Sequence, residues 1–109
     1  MARFMILYNG PATDPSDMPP EQRDEIMAAW GAWMGRVGDA LVDVGAPMDA
    51  GIAVVDDGTE AGATQLNGYS ILEAADLASA KQLVDGHPFL SESDGNFKVE
   101  IFELLPVPM

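Results

Sequence analysis

The chain has 109 residues, 48% of them apolar and 21% charged, and no cysteine. That composition fits one globular domain spanning residues 1–109 with a single core, excludes disulfides and thiolate metal sites, and suits the cytoplasm. The 18 acids outnumber 5 bases for a net charge of −13, and Arg3, Arg23, Arg36, Lys81 and Lys98 stand singly. Neither nucleic acid nor a membrane is therefore an expected partner, because both reward clustered bases. So acidic a surface reads as a solubility feature.

Residues 3–9 predict a first strand, with Phe4, Ile6 and Tyr8 on one face and Met5 and Leu7 on the other. That apolar run is too short for a signal peptide or a membrane span. A proline-rich loop over Gly10–Pro20 leads into a long helix, expected to run to about Val44 and to stop at Gly45-Ala46-Pro47. Its apolar stripe comprises Ile26, Met27, Trp30, Trp33, Met34, Val37, Leu41 and Val44. Gly31, Gly35 and Gly38 share a flank, which suggests close approach of another backbone. Asp49–Val55 is a weaker second strand, followed by a turn-rich loop over 56–62. Gly68–Glu73 is a third strand. Asp76 caps a short helix carrying Leu77, Ala80, Leu83 and Val84, ended by Gly86-His87-Pro88-Phe89. After a polar loop, Phe97–Leu105 makes the last strand, and Pro106 and Pro108 close the chain.

The order β-α-β-β-α-β is the ferredoxin-like α+β plan, an antiparallel sheet with both helices on one face. The first and last strands are nevertheless apolar on both sides. The uncovered patch would be on the order of 500 Å², and its burial would contribute on the order of 10 kcal/mol before association costs. A homodimer packing two sheets face to face, with a cavity between them, is the expected solution.

Three stretches carry a family likeness: Met5-Ile6-Leu7-Tyr8, then Gln65 through Ala80 with its Leu-Asn-Gly-Tyr and Glu-Ala-Ala-Asp-Leu segments, then His87-Pro88-Phe89 followed by Val99-Glu100-Ile101. Together they resemble the YCII-related family of dimeric α+β barrels, over nearly the whole chain. The resemblance implies that fold and dimerisation, and implies activity only loosely. Typical members pair a His on the long helix with an Asp before the proline of the later motif. Here the helix offers Trp30, Trp33 and Met34, and His87 precedes Pro88, so that His-Asp mechanism is not carried over.

His87, the sole histidine, is the candidate catalytic residue, a general acid or base facing a cavity mouth. Its structural alternative is to cap the last carbonyls of the preceding helix. Tyr8, Trp30, Trp33 and Tyr69 are the candidate ligand-binding residues, against a plain core role for the indoles. Asp49 and Glu73 read as solvated acids. A lone His with scattered carboxylates gives no metal spacing, and no phosphate loop or dinucleotide fingerprint appears, so no metal and no cofactor is expected. The sequence thus predicts either a cofactor-independent enzyme doing acid/base chemistry on a small, largely apolar molecule, or a non-catalytic dimer that binds a small molecule or a protein.

Overall fold

Strand β1 (Ala2–Asn9) alternates as its sequence requires: Phe4, Ile6 and Tyr8 are buried, and Met5 and Leu7 on the other face are half-buried. The computed structural model describes residues 1–11, 19–91 and 95–107. Parts of the two expected loops, residues 12–18 and 92–94, lie outside the described residues, as does Pro108.

Helix α1 (Pro20–Val37) begins on proline and ends seven residues earlier than the apolar spacing suggests. Gly38 takes φ 58°, returns its N–H to the Met34 carbonyl and starts a 3-10 turn over Gly38–Ala40. The chain then enters strand β2 (Leu41–Pro47). Leu41 misleads the helical reading because it faces the same core from the strand, opposite Leu72. The stripe also fails at the other end: residues 20–29 are all exposed, Ile26 and Met27 among them, and α1 reaches the core from Trp30 onward. Among the described residues nothing makes the expected close approach at the glycine flank: a Cβ at Gly31, Gly35 or Gly38 would meet none of them within 4 Å.

The expected second strand is likewise corrected. β2 fills that place in the sheet, while β3 (Ile52–Val54) pairs with β4 (Glu60–Gly62) in a separate two-stranded ribbon. Its turn is closed by Val55 N–H on the Thr59 carbonyl, by Gly58 at φ 89° and by Asp57 Oδ1 accepting from Thr59. Strand β5 (Leu66–Ala74), helix α2 (Leu77–Val84) and strand β6 (Lys98–Leu104) follow as predicted. Asp76 caps α2, accepting from Ser79 N–H at 2.8 Å.

The four-stranded sheet runs β2-β5-β1-β6 with every neighbour antiparallel, which is the ferredoxin-like arrangement. One face carries the core of Phe4, Ile6, Tyr8, Leu72, Trp33, Val37, Ala80 and Val84. The other carries Met5, Leu7, Tyr69, Ile71, Phe102 and Leu104, with Phe102 still 51% exposed. Among the described residues no helix is long and apolar enough to cross a membrane.

Candidate functional site: a bulge-lined aromatic pocket

The pocket opens where β2 and β5 lose register. Two irregularities, between Leu41 and Asp43 and between Asp43 and Ala46, bracket Gly45. Gly45 adopts φ 79°, and a Cβ there would fall 1.8 Å from the Tyr69 carbonyl oxygen, so no other residue fits the bulge. Asp43 Oδ1 accepts from Gly45 N–H at 2.8 Å, and Ser70 Oγ donates to the Val44 carbonyl at 2.7 Å, fixing the bulge on both sides. The Gly45-Ala46-Pro47 stretch, read from sequence as a helix stop, is therefore pocket wall.

The resulting cavity has a volume of about 310 Å³ and is lined by Tyr8, Trp30, Phe89, Asn67, Gly68, Tyr69 and residues 44–47. None of these side chains is charged. Tyr8 is 4% exposed, and its hydroxyl is hydrogen-bonded to Ser70 Oγ at 2.8 Å. Burial pushes the Tyr8 phenol above its ordinary pKa, partly offset by the Ser70 bond, so it stays protonated at physiological pH. Asn67 donates from Nδ2 to the Gly10 carbonyl at 3.1 Å, tying the end of β1 to β5.

His87 lies behind this wall. Gly86, at φ 74° after α2, turns the chain inward, and His87 N–H bonds the Val84 carbonyl. The imidazole is 1% exposed and packs on Tyr8, Trp30 and Trp33, with ring centroids 5.1, 4.5 and 4.2 Å away. It neither faces a cavity mouth nor caps α2. The last carbonyls of α2 are taken instead by α1: Trp33 Nε1 donates to the Leu83 carbonyl at 2.9 Å, and Arg36 donates to the Leu83 and Asp85 carbonyls. His87 caps the following 3-10 turn over Pro88–Leu90, its Nδ1 accepting from Phe89 N–H at 3.0 Å. The neutral ring therefore carries its proton on Nε2, which is buried without a partner among the described residues. Burial first, and the nearby Arg36 guanidinium second, hold its pKa down at about 4.

Of the residues singled out from sequence, the pocket brings together Tyr8, Trp30 and Tyr69. Trp33 is core and helix cap, and His87 is one ring removed from the cavity. Glu73 makes an exposed ion pair with Arg3 at 4.0 Å, and the exposed Asp49 accepts from Ala50 N–H, so both are ordinary surface acids. Among the described residues no three His, Cys, Asp or Glu side chains cluster as metal ligands would. Sequence reasoning missed Ser70, Phe89 and the Gly45 bulge. Phe89 was within reach as an aromatic beside the helix end.

A model of the YCII-related domain matches residues 1–105, nearly the whole chain. The chain belongs to the YCII-related family. This YCII-related protein is also similar in structure to 5-chloro-2-hydroxyhydroquinone dehydrochlorinase (TftG) from Burkholderia phenoliruptrix AC1100, solved in complex with 2,5-dihydroxybenzoquinone. The two align with a TM-score of 0.50 and 22% identity over 90% of each chain, a likeness that carries the fold and no more. A comparison with curated proteins gave no match.

Proposed function

We propose that this YCII-related protein is a homodimer that takes a small, largely apolar aromatic molecule into the pocket beside the Gly45 bulge. The observation that carries this is the lining itself: Tyr8, Trp30 and Phe89, with Tyr69 and residues 44–47, line an uncharged cavity of about 310 Å³, and the Tyr8 hydroxyl is bonded to Ser70. Apolar walls with a few fixed polar groups are what small-molecule recognition requires. Dimerisation is supported by the helix-free face, where Met5, Leu7, Ile71, Phe102 and Leu104 lack cover. The charged residues of β1, β5 and β6 on that face, Arg3 with Glu73 and Lys98 with Glu100, are paired, so two copies can meet there despite the overall charge.

The reading is tested by titrating a panel of small aromatic compounds while following thermal unfolding and indole fluorescence. A native-state ligand raises the unfolding temperature, and one seated against Trp30 alters its emission. A panel that moves neither overturns the reading.

A second reading, cofactor-independent acid/base turnover of the bound molecule, is favoured by the contact between Tyr8, which lines the pocket, and His87 behind it. His87 then handles the proton and Tyr8 orients the ligand. On this reading the Tyr8 and Trp30 rings that pack on His87 have to part for it to reach a ligand. His87→Phe keeps a ring in the core, so it should abolish turnover while leaving ligand binding intact.

A further inference from the structure

We infer that the pocket selects neutral ligands that donate a hydrogen bond, phenols and anilines rather than ethers, quinones or carboxylates. This rests on the pocket being a ligand site, as proposed above. Two hydroxyl protons decide the preference. Ser70 Oγ lies 2.7 Å from the Val44 carbonyl oxygen, which can only accept, so the single Ser70 proton points to Val44. Tyr8 Oη lies 2.8 Å from the same Ser70 Oγ. With its own proton already committed, Ser70 can only accept there, and Tyr8 must donate. The chain of bonds thus runs in one direction, Tyr8 O–H to Ser70 O–H to Val44 C=O.

Tyr8 has no second proton. Its oxygen offers an approaching ligand lone pairs and nothing else, and a ligand must bring the hydrogen. Asn67 spends one of its two Nδ2 protons on the Gly10 carbonyl, so its amide keeps a donor as well as its acceptor oxygen and sets no preference of its own. No Lys or Arg lines the cavity to hold a carboxylate or phenolate. Residues 37–80 contain no Lys or Arg at all, so the surrounding field is negative as well. An anion entering this site loses its hydration, finds no cation in the lining and meets the lone pairs of Tyr8.

The test uses the full-length protein and three probes of one shape: para-cresol, its methyl ether, and para-toluate, with binding followed by calorimetry and thermal shift. Para-cresol should bind roughly three- to tenfold tighter than the ether, which is what one neutral hydrogen bond supplies, and para-toluate should bind weakest. Tyr8→Phe should bring cresol and ether to equal affinity. Ser70→Ala removes the acceptor that holds the Tyr8 proton, so the hydroxyl becomes free to donate and the ether should gain on cresol. Equal binding of cresol and ether to the wild-type protein, or tighter binding of toluate, overturns the selectivity and leaves the pocket reading standing. If no probe binds and a wider aromatic panel also fails, the pocket reading falls and the selectivity falls with it. The wild-type comparison stands alone should either variant fail to fold.

Discussion

His87 packs its imidazole against the Trp33 indole with centroids 4.2 Å apart, and its Nε2 proton has no acceptor among the described residues. The ring is held neutral, with a pKa near 4 against 6.5 for a free histidine. The folded state therefore binds fewer protons than the unfolded chain between those values. Its contribution to stability is complete above about pH 6.5 and is lost as pH falls toward 4, by up to about 3 kcal/mol. His87→Phe should remove that part of the acid limb. Urea unfolding of both proteins across pH 7 to 4 checks it, and parallel pH profiles would exclude the buried neutral histidine.

Helix α2 has eight residues and depends on its first turn. Asp76 accepts from Ser79 N–H, and that bond, by favouring the ionised form, holds its carboxyl below the usual carboxylate range. Asp76→Ala should cost about 1 kcal/mol, and Asp76→Ser should recover most of it. The urea midpoint is the measurement. An unchanged midpoint for Asp76→Ala would show that packing of Ala80 and Val84 holds the helix without its cap.

Two glycine substitutions should go in opposite directions. At Gly45 a side chain meets the Tyr69 carbonyl and a positive φ together, so Gly45→Ala should destabilise by more than about 2 kcal/mol and close or distort the pocket. At Gly31 the added methyl meets open space inside a helix, so Gly31→Ala should stabilise by up to about 1 kcal/mol. Thermal unfolding of both variants decides it. A destabilised Gly31→Ala would reveal a backbone packed on that flank, such as a partner's.

These two glycines also show what the sequence can and cannot convey. Strand β1 was legible because Phe4, Ile6 and Tyr8 declare a two-residue period within one short segment. β2 was not, because Leu41 satisfies both the helical continuation and the strand that replaces it, and tertiary pairing with Leu72 decides between them. Tyr8, Trp30 and Tyr69 were legible as aromatic residues on apolar faces. The pocket they enclose was not, since it depends on a bulge at Gly45 and on a hydrogen bond between residues 62 positions apart in the chain. His87 stood out as the sole imidazole. Its burial is set by Gly86 at positive φ and by Trp33 and Arg36 occupying the carbonyls it was expected to cap.

The helix-free face yields the last prediction. Met5 lies opposite Phe102 on one side and Ile71 on the other, forming an apolar centre. The Arg3–Glu73 pair lies at one end and the Lys98–Glu100 pair at the other. Two of the chain's 5 bases are thus spent on this face, in a molecule of net charge −13. Neutralising that surface has little value to a monomer, because exposed ion pairs contribute roughly 0–1 kcal/mol. It has more value to two copies meeting face to face, where like charges would otherwise confront each other. Sedimentation at micromolar concentration should therefore report a dimer. Phe102→Glu adds a charge to the apolar centre and should yield a folded monomer, visible as a halved mass with unchanged far-UV circular dichroism. A wild-type protein that sediments as a monomer would leave the apolar face without the occupant proposed for it.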